Sequence, residues 1–122
     1  MTDKEKGFLG EEIAAEFLNS KGYEILELNY VTRGGELDII AKDGETLVFV
    51  EVKTRTGTAF SGAEAMDERK TSFMLRCAEK YVLDKKESAG NMKARFDLVQ
   101  ICFSEGNLKE TPKIIHSKNI IF

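Results

Sequence analysis

Two apolar segments on either side of one short turn constrain this chain more than any other feature. They are ELDIIAK at 36–42 and TLVFVEVK at 46–53, separated by Asp43-Gly44-Glu45. Runs rich in Val, Ile and Phe flanking an Asp-Gly turn read as a β-hairpin. With Gly44 and Glu45 as the turn, Lys42 and Asp43 pair with Leu47 and Thr46, and Asp38 falls opposite Glu51. A bulge at the turn would shift that register by a residue. Under regular pairing, even positions of the first strand share a face with odd positions of the second. Glu36, Asp38, Glu51 and Lys53 then gather on one face. Leu37, Ile39, Val48, Val50 and Val52 form the other, an apolar layer for a helix to cover.

The rest of the chain supplies that cover. Leu9, Ile13, Phe17 and Leu18 recur at helical spacing over 4–20, and Gly22 ends the helix. Residues 23–30 read as a strand and 32–35 as a turn. Residues 54–66 read as a long polar loop, a length that often carries function. Asp67 is an N-cap for a second helix over 67–85, with Phe73, Met74, Cys77, Ala78, Tyr81 and Val82 as its core stripe. Residues 87–93 read as a loop and 94–103 as a strand. A turn at 104–107 leads to a last strand over 112–117, placed at an edge because of Pro112. The predicted order is α-β-β-β-α-β-β, one α/β sandwich over residues 1–122 with a mixed sheet of about five strands flanked by helices.

Composition narrows the function classes. The 122 residues are 42% hydrophobic and 32% charged, ordinary for one globular domain. Cys77 and Cys102 lack CxxC spacing and sit among apolar neighbours, which reads as two buried free thiols in a reducing compartment. The charged start MTDKEKG is unlike a signal peptide, and no apolar run approaches the roughly 20 residues of a membrane span. A cytoplasmic, non-membrane protein is expected. The net charge of −3 counts against a simple electrostatic nucleic-acid binder. It leaves room for a metal-dependent enzyme on nucleic acid, whose carboxylate cluster is itself acidic.

Two carboxylates side by side in a sheet repel each other unless solvated or bridged by a hard cation. Asp38, Glu51 and the carbonyl of Val52 offer three oxygens to magnesium or manganese. Such an ion activates water and neutralises phosphodiester charge, and Lys53 is placed to orient that water or stabilise the transition state. The plainer alternative is a surface Glu51–Lys53 ion pair worth about 0–1 kcal/mol, with Asp38 on a solvated face. What argues against it is that these polar residues interrupt strands that otherwise read as central.

GELDII followed by FVEVKTR resembles the D…(E/Q)-x-K signature of the PD-(D/E)XK nuclease superfamily. The whole chain more closely resembles the YraN-like bacterial family. The match includes Gly7-x-x-Gly10-Glu11, Gly22-Tyr23, Asn29, Gly35-Glu36-x-Asp38, Phe49-Val50-Glu51-Val52-Lys53-x-Arg55, Lys70, Arg95-Phe96-Asp97 and His116-x-x-Asn119-x-x-Phe122. The resemblance implies a restriction-endonuclease-like or Holliday-junction-resolvase-like fold and binding to nucleic acid.

Glu11 lies at the edge of the first helix's apolar stripe. Resolvase-like nucleases resemble this, with a helix glutamate joining the metal site; the alternative is a carboxylate favoured by the helix dipole. Arg55, Lys70 and Arg33 are candidate phosphate contacts, with Arg69 beside them, and Lys70 reads equally as a stem lying over the core. Gly57 and Gly62 would let the long loop move. Glu36 reads as a further carboxylate near the site or as a strand-entry residue. Asp97 reads as half of a local ion pair, and His116 as structural. The leading expectation is a magnesium-dependent phosphodiesterase on branched or single-stranded DNA. Asp38, Glu51, Lys53 and Glu11 would be its catalytic residues, and homodimerisation would address two strands. The alternative is a non-catalytic nucleic-acid-binding or protein-docking module.

Overall fold

The computed structural model describes residues 2–57, 67–85, 91–104 and 110–121. Its elements follow the predicted order: α1 Asp3–Ser20, β1 Glu24–Thr32, β2 Gly35–Asp43, β3 Thr46–Thr56, α2 Glu68–Asp84, β4 Lys93–Phe103 and β5 Lys113–Ser117. The five strands form one sheet in sequence order. All neighbours are antiparallel except β3 and β4, which run parallel and are joined through α2.

Local chemistry sets the helix ends. The Thr2 hydroxyl accepts from the Glu5 N–H, and the Glu5 carboxylate accepts from the Thr2 N–H, both at 3.1 Å. This reciprocal cap satisfies two of the donors that open α1. Asp67 caps α2 as expected, its carboxylate accepting from the Lys70 N–H at 2.8 Å. The predicted loop at 87–93 and turn at 104–107 lie largely outside the described residues, as does Gly62. The long loop starts later than expected: β3 runs on through Thr56, so Arg55 is a strand residue.

The sheet is packed on both faces. Against α1 lie Ile39, Ala41, Val48, Val50, Val52, Val99, Ile101 and Phe103, closed by Ala14 and Leu18. Against α2 lie Leu37, Ile40, Leu47, Phe49 and Phe96, closed by Met74, Cys77, Ala78 and Tyr81. The α1 interface is close: a Cβ on Gly10 would collide with the Thr54 side chain. Only glycine lets α1 lie this near β3, and that fixes the height of the next residue, Glu11.

The hairpin register is the expected one, with Asp43 opposite Thr46 and Lys42 opposite Leu47. The expected facing of β2 does not hold throughout, and the expected Asp38–Glu51 pair is not part of the ladder. Leu37 does not join the Ile39–Val52 layer but packs on the α2 face. Residues 37 and 39 therefore point to opposite faces, so the strand's alternation breaks at Asp38. The β2–β3 ladder closes at Ile39–Val50. On the other side Asn29 takes a φ of 52° between the Leu28–Ile39 and Tyr30–Leu37 pairs. The two cysteines also differ from each other: Cys77 is buried, Cys102 only half-buried because it lies near the β5 edge.

Candidate metal centre

The break at Asp38 builds the site. Where β2 and β3 part, the Asp38 carboxylate takes over the ladder's role by accepting from the Val52 N–H at 2.8 Å. It stands between the two faces. Glu11 on α1 and Glu51 on β3 line the same recess as Asp38, and its charge acts on both. Three carboxylates from three elements thus meet in a recess of about 290 Å³, also lined by Lys6, Val52 and Thr54.

The electrostatics record the crowding. Burial, then the charge of Asp38, pushes the Glu11 carboxyl up to about 7. The same two causes push Glu51 up to about 7, although Lys70 pulls the other way. Glu51 is 4% exposed, and its carboxylate meets the Lys70 ammonium at 2.9 Å. Burial pulls the Lys70 ammonium down, but contact with Glu51 leaves it net above its ordinary value. One Glu11 oxygen, Oε2, is buried without a hydrogen-bond partner.

These groups suit a hard divalent cation. All the donors are oxygens, one is buried and unpartnered, and two carboxyls resist ionisation for want of positive charge. Among the described residues no three such side chains stand gathered as a finished ligand set. Glu51 is turned to Lys70, and one Asp38 oxygen is engaged by the Val52 N–H.

A pH dependence follows without metal. Glu11 and Glu51 hold protons more tightly in the folded chain than when unfolded, where their ordinary value is 4.5. The folded state therefore binds more protons between that value and about 7, and its stability falls as pH rises through this window. Urea denaturation in chelator is expected to show a falling midpoint from about pH 5 to pH 8. Glu11→Gln is expected to flatten the fall, and an unchanged slope in that variant would contradict the assignment.

The other predicted residues separate. Lys53 opens into a neighbouring cleft of about 520 Å³, not into the acidic recess. Gly34, Gly35 and Glu36 form one wall of that cleft, and Arg69, Lys70, Phe73 and Arg76 on α2 the other. Lys70 therefore touches both sites, and Glu36 belongs to the cleft wall while adding to the negative field at Glu11. Arg33 is exposed at the β1–β2 turn, near Phe73, Arg76 and Lys80. Arg55 pairs with Cys102 in the β3–β4 ladder, two residues beyond Lys53.

One buried polar residue escaped the sequence reading, and another was read too modestly. Gln100 is 2% exposed, pairs with Lys53 in the ladder, and has an unpartnered Oε1. A glutamine inside LVQICF was the available signal. Asp97 is fully buried and is more than half of a local pair. Arg95 binds it through Nε and Nη2 at 2.9 and 3.0 Å, His116 Nε2 lies 2.7 Å away, and the Asn119 N–H donates at 3.0 Å. His116 is thereby part of a structural network, as expected.

Among the described residues no helix is long and apolar enough to cross a membrane. The family model described as "Uncharacterised protein family UPF0102" matches residues 10–101, which include Glu11, Asp38, Glu51, Lys53 and Asp97. A UPF0102 protein of Dictyoglomus thermophilum is 44% identical over 86% of this chain and 88% of its own length. Another, from Alkaliphilus oremlandii, is 40% identical over 88% of this chain and 92% of its own. One from Mycobacterium tuberculosis is 39% identical over 98% and 94%. With a model spanning most of the chain and relatives aligned over nearly their full length, the chain belongs to the UPF0102 family.

Proposed function

We propose that the chain is a cytoplasmic, metal-dependent nuclease acting on DNA phosphodiester bonds, with a restriction-endonuclease-like site. The observation that carries this reading is the meeting of Glu11, Asp38 and Glu51 at the break in the sheet, with two carboxyls pushed up to about 7. Asp38, Glu51 and Glu11 would hold magnesium or manganese. When bound, the ion supplies charge neutralisation and acidifies a water. Asp38 keeps its orientation through the Val52 N–H. Lys53, with Lys70, Arg69 and Arg76 in the adjoining cleft, offers cations to a phosphate backbone in an otherwise acidic chain.

A second reading has its own observation. Lys53 lies with the cations of the cleft and not in the acidic recess. That division fits a module that grips phosphate without cleaving it. Cleavage assays on duplex, single-stranded and branched DNA with magnesium or manganese separate the two. Asp38→Ala and Lys53→Ala are each expected to lower the rate by about 100-fold or more. Equal activity in all three proteins would overturn the nuclease reading. Salt-dependent, metal-independent binding with no cleavage would establish the second.

A further inference from the structure

We infer that Lys70 is a resident counter-cation, whose ammonium holds Glu51 in the metal-free chain and yields it to an incoming divalent ion, moving into the adjoining cleft. The inference rests on the metal-binding reading above and adds to it a residue on α2.

The geometry distinguishes the fixed partner from the mobile one. The Glu51 side chain is 5% exposed, whereas that of Lys70 is 33% exposed. Glu51 stands on a central strand, opposite Leu98 of β4, and its side chain is buried. Lys70 is held at its backbone by the Asp67 cap and at its ammonium by Glu51. Its four-carbon stem ends in a point charge that retains its hydration readily and rotates freely. It already lines the cleft that holds Lys53, Arg69 and Arg76, so a second position for its head is at hand. The Glu51 oxygen it occupies is one that a shared cation would need. That accounts for carboxylates that meet without forming a finished ligand set.

Two effects then oppose metal entry: the contact with Glu51 must be given up, and like charges meet while the exchange takes place. Removing the ammonium removes both. Lys70→Met preserves most of the stem, and Lys70→Gln provides a polar alternative should the first fold poorly by circular dichroism. Calorimetric titration of magnesium and of manganese reads the outcome without reference to activity. Both variants are expected to bind about tenfold more tightly than the wild type. In the wild type, labelling of Lys70 by an amine-selective reagent, read by peptide mass spectrometry, is expected to rise on adding metal. Wild-type binding with equal or weaker binding in the variants would overturn the inference and leave the metal reading intact. Binding in the variants alone would show Lys70 excluding the ion without yielding to it, and would overturn the exchange. No binding in any of the three proteins would remove the metal reading and this inference together.

Discussion

Asp38→Asn is expected to abolish divalent-cation binding while making the metal-free protein more stable at neutral pH. The two effects have one origin. Asp38 is the carboxylate whose charge raises both Glu11 and Glu51, which line the same recess. As an asparagine it can still accept from the Val52 N–H through its oxygen, so the break between β2 and β3 keeps its shape. Its amide would then donate to the glutamates in place of a repelling charge. The like-charge cause of their raised values disappears, and their carboxyls ionise nearer the ordinary 4.5. The part of the stability loss toward pH 7 that comes from the charge of Asp38 is recovered, while the part from burial, the larger cause, remains.

Metal affinity moves the opposite way, because an anionic oxygen has been exchanged for a neutral one between two ligands. A loss of about 100-fold or more is expected by calorimetry, since even partners outside the ligand sphere cost 10–100-fold. Urea denaturation in chelator at about pH 7.5 provides the second measurement. Affinity within a few-fold of wild type would mean that these carboxylates share no ion. A variant destabilised at neutral pH would mean that Asp38 serves only to close the sheet.

Much of this site is legible in the chain because its parts are local. The hairpin register follows from a turn of two residues, and the Asp67 cap from the helix start immediately after it. Glu11 is readable from its place at the edge of a helical stripe. What alternation could not show is its own failure. Leu37 is assigned to the wrong face because period-two reasoning assumes an unbroken ladder. The left-handed backbone at Asn29 and the carboxylate of Asp38 interrupt that ladder. The expected cofacial set is also divided. Glu51 faces the recess and Lys53 the cleft, although they stand two apart on one strand. The pairing of Lys70 with Glu51 depends on how α2 lies over the sheet, which no spacing within either element encodes.

Asp97 shows the limit most clearly, and it sets the second large effect. Its partners come from positions far apart in the chain. Arg95 is on the same strand, His116 is on β5 and Asn119 follows it. Arg95 in turn donates to the Tyr23 hydroxyl at 2.7 Å and to Asp43 at 3.2 Å. The network ties the end of α1, the β2 end of the hairpin and the C-terminal segment to one buried carboxylate. Beyond it, the Ile120 N–H donates to the Phe96 carbonyl at 2.8 Å, and Ile120 and Ile121 pack on the α2-side core. Asp97→Ala removes the only anion between Arg95 and His116 among the described residues in that network. Among these residues it leaves His116 without an anion and Arg95 with Asp43 as its remaining anionic partner. Breaking a buried pair in this way costs about 3–5 kcal/mol, a large part of the roughly 5–15 kcal/mol that holds a domain folded. The expected fall in Tm is about 10–20 °C.

Asp97→Asn tests the charge apart from the packing. Burial opposes ionisation of Asp97, but hydrogen bonds from His116, Arg95 and the Asn119 N–H together hold its carboxyl below the usual range. A group lowered in this way stabilises the fold above its unfolded value, and the contribution is lost as pH falls through the folded one. The gap between wild type and Asp97→Asn in urea midpoint is therefore expected to be widest near neutrality and to close on acidification below the ordinary carboxylate range. A gap independent of pH would assign the effect to lost shape and not to the charge. The proposed metal site shares no residue with this network. Asp97→Asn is accordingly expected to lower Tm while leaving magnesium affinity, measured below the new midpoint, at its wild-type value.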